Sequence, residues 1–128
     1  MPKAKQFTVS HENLPGMLAH IAKVLGDAQV NILAFVTTTS GREGLTHLIV
    51  DRSDTANRAL AGAGLAYTEA DVLQLELPNV PGALAKFARK VAQEDINITL
   101  GYATSEKGSK KTSVVLAVSD LDKAAIIR

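Results

Sequence analysis

The chain has 128 residues, enough for one domain or two small ones closely packed, and carries 14 Lys and Arg against 13 Asp and Glu for a formal charge of +1. So even a balance gives no phosphate-tracking surface, and five scattered aromatics (Phe7, Phe35, Tyr67, Phe87, Tyr102) make no base-stacking platform, so no nucleic-acid partner is expected. With no cysteine, disulfide frameworks, thiolate zinc sites and thiol nucleophiles are excluded together.

The opening residues, Met1 to Gln6, lack the apolar core of a signal peptide, and the longest wholly apolar stretch, Ile32 to Val36, is far too short to span a membrane. A cytoplasmic protein with no membrane partner is expected. Phe7 to Ser10 is a short β-favouring run that ends at Asn13-Leu14-Pro15-Gly16. A Pro-Gly step stops a strand and can start a helix, because the first turn has amides without partners in any case. Met17, Ile21, Val24, Leu25 and Ala28 then recur at helical spacing. Val30 to Thr39 reads as a second strand, Ser40 to Gly44 as a turn and Leu45 to Asp51 as a third strand. Ser53 and Asp54 are expected to cap a second helix, and Leu65 to Ala70 makes a fourth strand.

Val72 to Leu77 begins the same order again, followed by Asn79-Val80-Pro81-Gly82, a helix through Leu84, Phe87, Ala88 and Val91, and strands at Ile96 to Thr104 and Thr112 to Val118. One offset of 66, without a gap, is expected to carry Asn13 onto Asn79, Asn31 onto Asn97, Thr46 onto Thr112 and the caps Ser53 and Asp54 onto Ser119 and Asp120. The order βαββαβ, twice, implies an α+β fold of two ferredoxin-like units, at 1–70 and 71–128, each an antiparallel sheet with its helices on one face. The second copy lacks a clear fourth strand, which leaves the edge of Val72 to Leu77 open; a partner strand, a swapped element or a shortened chain would each account for that.

This sandwich hosts enzymes, RNA binders and metal carriers alike, so side chains must decide the function. His11, His20 and His47 have no ligand spacing, and neither a metal nor a cofactor is expected. The third strand has no aromatics for RNA, the first loop has no arginine for a phosphate-ester hydrolase, and no Ser/His/Asp set is evident, so no enzymatic activity is expected. What remains is the strand-to-helix loop His11 to Met17. In the plain reading it is a turn with Asn13 as a capping side chain. In the sharper one, unpaired amides at the helix start attract a carboxylate, and Gly16 leaves them unshielded. Asn13 then offers a donor and an acceptor, and His11 adds a second neutral polar group on the same face, a set suited to a zwitterion.

At these residues the chain resembles tandem ACT domains, small regulatory modules that bind amino acids. The stretch His11 to Gly16 with Val30-Asn31-Ile32 is especially similar to the serine-sensing regulatory domain of phosphoglycerate dehydrogenase. The resemblance implies that positions matching His11, Asn13 and Asn31 hold a ligand's polar groups across a domain–domain interface, with Leu14, Pro15, Gly16 and Met17 completing the loop. In the second unit Asn79, Val80, Gly82 and Asn97 match, but Leu77 and Pro78 stand for His11 and Glu12. That loop is expected to bind weakly, to take a more apolar amino acid, or only to fold.

His11 and Asn13 finish the first strand while Asn31 starts the second, about 20 Å away at ~3.3 Å per residue. Asn31 must therefore meet them from another unit, through side-by-side pairing of second-strand edges. Residues 70 and 72 are too close in sequence for that pairing within one chain, so a homodimer of first units, or a swapped arrangement, is expected. The function expected is a non-catalytic regulatory module that binds a small neutral amino acid at an interface between units. The alternative is a free-standing subunit that docks on a larger biosynthetic enzyme or a transporter without a ligand of its own. Lys107, Lys110 and Lys111 read as a solvated hairpin tip.

Overall fold

Ten elements follow one another in a computed structural model that describes residues 2–127. They are β1 (Lys3–Glu12), α1 (Met17–Asp27), β2 (Ile32–Ser40), β3 (Glu43–Val50), α2 (Ser53–Gly62), β4 (Ala66–Pro78), α3 (Ala83–Gln93), β5 (Ile98–Thr104), β6 (Lys111–Val118) and α4 (Leu121–Ala125). The chain divides into two compact units: Lys5–Ala70, and residues 2–4 together with those from Asp71 on.

In the first unit the strand order is β2-β3-β1-β4, with β3 antiparallel to both β1 and β2. Strand periodicity puts Phe7 and Val9 of β1 on the same face as Leu48 and Val50 of β3. These residues bury against Ile21 and Leu25 of α1 and Ala56 and Leu60 of α2 in one core. Both helices therefore lie on that face, and the unit is the α+β, ferredoxin-like sandwich expected. The second unit repeats it. β6 lies antiparallel to β4 and β5, and Leu73, Leu75, Val114 and Leu116 pack on Phe87 and Val91 of α3 and Ala124 of α4.

Four expectations need correction. Leu65–Ala70 and Val72–Leu77 are not two strands: β4 runs without a break from Ala66 to Pro78, passing through Asp71. The edge expected to be open is occupied, since Pro2 O accepts a hydrogen bond from Gln74 N at 3.1 Å and Lys3 Nζ reaches Asp122 Oδ1 at 2.8 Å. Residues 2–4 thus sit where a fourth strand of the second unit belongs, which is the swapped-element solution. The charged residues Lys3 and Lys5 hide this stretch in the sequence, because alternation marks only the better buried end of β1.

The ungapped offset of 66 holds through the second strand and then fails. Asn31 N donates to Asp51 Oδ1, and Asn97 N donates to Ser119 Oγ, both at 2.9 Å, so Asp51 matches Ser119 at an offset of 68. The hairpin between β5 and β6 is longer by two residues than that between β2 and β3. Consequently Thr46 corresponds to Val114, not Thr112. The expected caps fall with the register: α2 starts after Arg52 with no side-chain cap, and Ser53 is its first residue. Asp120 does cap α4, accepting from Lys123 N at 3.1 Å.

Candidate functional site

Asn13 is not a helix cap. Its side-chain Nδ2 donates to Gly41 O at 3.0 Å and its backbone N–H to Arg42 O at 2.9 Å, so the residue clasps the β2–β3 hairpin tip. Asn79 does the same in the second unit, to Ser109 O at 2.8 Å and Lys110 O at 3.0 Å. The clasp gives this asparagine a folding role in both copies. The acceptor oxygens differ. Asn79 Oδ1 accepts from Thr112 Oγ1 at 3.3 Å, whereas Gly44, which stands in place of Thr112, has no hydroxyl to give Asn13. Asn13 Oδ1 has no donor among the described residues.

His11 lies at the end of β1, its ring folded over Gly44, the residue opposite it in the ladder. Nδ1 is 2.8 Å from Glu12 O, and a carbonyl only accepts, so Nδ1 carries the proton. In the neutral ring Nε2 is then the acceptor, and the fully buried Thr46 donates to it at 2.8 Å. Thr46 Oγ1 in turn accepts from Thr37 Oγ1 at 2.8 Å. Three polar side chains on the core face of the sheet thus form one directed row. Their counterparts in the second unit, Leu77, Val114 and Ala103, are all apolar. The row escaped the sequence reading, although Thr46 carried a signal: it is a polar residue in phase with the buried Leu48 and Val50.

A cleft of about 710 Å³ opens beside this row, lined by His11, Leu14 and Met17 together with Thr39, Gly44 and Leu65. Glu12 and Glu43, directly opposite each other across the ladder, also face it. The start of α1 stands at this cleft. Gly16 takes a left-handed φ of 89° there, no side chain caps the helix, and its first turn holds no acidic residue. Such a conformation favours glycine, and the uncapped amides leave positive potential at the end of the helix. Asn13, Pro15 and Gly16 do not line the cleft, although the neighbours of Asn13 do. Gly82 repeats the arrangement at α3, with φ 87° and no side-chain cap.

A match to the family of ACT domain pairs spans residues 3–127, the same stretch over which the two sandwiches and their uncapped helix starts are built. The chain belongs to this family. A crystal structure of a Bacteroides thetaiotaomicron protein is 31% identical with a TM-score of 0.89, over 96% of this chain and 84% of that one. The ligand-free regulatory subunit of aspartate kinase from Thermus thermophilus has a TM-score of 0.67 at 16% identity, covering 91% of this chain and 83% of that one. The regulatory subunit of aspartate kinase from Thermus flavus has 0.60 at 19%, over 89% and 82%. At such identities the two kinase subunits show the fold alone. No curated protein matches the chain.

Within the first ACT unit the polar residues singled out from sequence do not all converge. Asn31 ties the start of β2 to Asp51, just past the far end of β3, while His11 sits over Gly44 at the near end. At ~3.3 Å per residue along β3 the two are about 20 Å apart. The Asn31 side chain has no partner among the described residues, and the same is true of Asn97. In the second ACT unit a cleft of about 490 Å³ includes Val80 and Gly82 but neither Asn79 nor Asn97. Tyr102, half-buried on β5, has its phenol pushed up to about 12 by burial and stays protonated at neutral pH. No described helix is long and apolar enough to cross a membrane.

Proposed function

We propose that this ACT domain pair is a non-catalytic, cytoplasmic regulatory module whose first unit binds a small neutral amino acid. The observation that carries this reading is the uncapped start of α1 at an open cleft. Amides and dipole there suit a carboxylate, and no acid in the first turn competes with it. Asn13 is not itself a lining residue but stands between two that are, Glu12 and Leu14, and its Oδ1, left without a donor by Gly44, is the acceptor we assign to the ligand's ammonium. Glu12 and Glu43 give the cleft the negative potential that draws an ammonium in.

His11 plays a different part from the one its resemblance implies. Both ring nitrogens are already used, by Glu12 O and Thr46, so the ring is a fixed wall of the cleft, and a ligand would have to displace Thr46 to bond it. Asn31, with a free amide about 20 Å away, contributes from a second copy, which makes the bound form a homodimer. The ligand then stabilises the paired state, and a partner enzyme reads that shift.

A melting-temperature screen against the twenty amino acids tests the reading. Ligand at a hundred times Kd adds about 2.7 kcal/mol to the folded state, a shift of several degrees for a chain of this size. The largest shift is expected from a small neutral amino acid, with dimer mass by light scattering. No response to any amino acid, or a ligand-bound monomer, overturns it.

A further inference from the structure

The carbonyls that end β1 and β4 are satisfied in two different ways. In the second unit Pro78 O accepts from Val80 N at 2.9 Å, a three-residue turn made by backbone alone. Glu12 O stands in the same place in the first unit, and takes its hydrogen bond from the His11 ring instead, at 2.8 Å. Leu77, in the position of His11, has no proton to give, so the Val80 N–H supplies the bond there. The Leu14 N–H, which matches that of Val80, has no acceptor among the described residues, and Leu14 lines the first-unit cleft. Asn13 N, in the same peptide group as Glu12 O, donates to Arg42 O at 2.9 Å, so this peptide is held at both of its polar atoms.

We propose that His11 is a positioning residue: by bonding Glu12 O it keeps the Leu14 N–H free, and this N–H is the donor that meets the carboxylate of an amino acid in the cleft. Thr46 is a second positioning residue. Its hydroxyl, fixed by Thr37, makes Nε2 the acceptor and so directs the Nδ1 proton at Glu12 O. Donation runs one way along the whole path, from Thr37 through Thr46 and His11 to Glu12 O, and from the Asn13 N–H on to Arg42 O. Each bond therefore polarises the next. The Leu14 N–H and Asn13 Oδ1, one residue apart, present a donor for a carboxylate beside an acceptor for an ammonium. The buried polar row thus has a use that Leu77 and Val114 do not serve: it opens a turn that apolar residues leave closed. The inference rests on the first-unit reading and adds to it a backbone donor outside the helix.

Amide exchange of the ¹⁵N-labelled full chain tests the positioning, and titration with glycine, L-alanine, L-serine and L-alaninamide tests the donor. In the free protein Leu14 is expected to exchange about tenfold faster than Val80 after correction for sequence, and long-range ¹H–¹⁵N spectra to place the His11 proton on Nδ1. His11→Leu combined with Thr46→Val copies the second unit and removes both partners of the buried bond, so the spectrum should stay dispersed while Leu14 slows to the rate of Val80. An amino acid that moves Gly16 and Met17 should also slow Leu14, and the paired variant should bind it about tenfold more weakly. Thr46→Ser should bind it as the wild type does, and alaninamide, which has no carboxylate, should leave Leu14 unmoved. Equal exchange at Leu14 and Val80, a proton on His11 Nε2, a Leu14 amide indifferent to such an amino acid, or undiminished affinity in the paired variant overturns the proposal. If instead glycine, alanine and serine all leave Gly16, Met17 and Leu14 unmoved while the exchange contrast persists, the first-unit reading falls, and the ligand role of Leu14 with it.

Discussion

The imidazole of His11 rests on the backbone of Gly44 so closely that a β-carbon at position 44 would stand 2.5 Å from Cε1 and 2.9 Å from Nδ1. Non-bonded carbon and nitrogen atoms in packed protein do not approach that closely, so the ring and the missing side chain are two halves of one arrangement.

Gly44→Ala must therefore turn the ring away from Thr46 or spread β1 from β3. The cost expected is about 1–3 kcal/mol, read as a lower denaturant midpoint. In a His11→Ala background the same change should cost far less, because the obstacle is gone. Fully additive effects would show that the ring is not what Gly44 accommodates.

Asn13 has separable duties, and two substitutions part them. Asn13→Ala and Asn13→Asp each lose the Nδ2 donor to Gly41 O, so each should cost about 0.5–1.5 kcal/mol and speed amide exchange at the hairpin tip. Asn13→Asp retains an acceptor for an ammonium; Asn13→Ala does not. Amino-acid-induced melting shifts are expected to survive in the first variant and vanish in the second. Equal shifts in both would take the Asn13 oxygen out of the site.

Removal of residues 2–4 strips the second unit of the segment that covers β4. Loss of the bond from Gln74 N to Pro2 O bares a strand edge, so a lower melting temperature and concentration-dependent association are expected. The ion pair nearby is a minor part. Lys3 holds the Asp122 carboxyl below its ordinary 3.8, so its support is present above that pH and fades as acid protonates it, but both groups are exposed to screening water. Asp122→Asn should change little where the deletion changes much.

His47 on the open face of β3 supplies a pH dependence. Burial lowers its pKa from 6.5, and its Nδ1 bonds Thr8 Oγ1 at 2.9 Å. The unfolded chain takes up a proton first, so this contribution is full above about pH 6.5 and is lost as pH falls through the lower folded value. Chemical melts at pH 7.5 and 5.5 should show the loss, and His47→Gln should flatten it.

Much of the architecture was written locally. The helix periods of Met17 to Ala28 and Leu84 to Val91, and the Pro-Gly starts before them, depend on neighbours in sequence, and the helices Met17–Asp27 and Ala83–Gln93 follow them. What failed depended on distant partners. The coincidence of Thr46 with Thr112, and of Ser53-Asp54 with Ser119-Asp120, suggested an ungapped repeat. Only the bonds from Asn31 to Asp51 and from Asn97 to Ser119 fix where each third strand ends. The site suffered similarly. Asn13 and His11 were recognisable as polar groups in the right loop, yet their partners Gly41, Glu12 and Thr46 were not, because hairpin length and ladder register decide those meetings.

The path of the chain also limits how it can be dissected. Cutting after Ala70 would seem to release two modules, yet it leaves residues 2–4 on the fragment that does not use them. No single break yields both pieces intact; a free-standing C-terminal module needs the opening peptide supplied in trans or grafted onto its own tail by circular permutation.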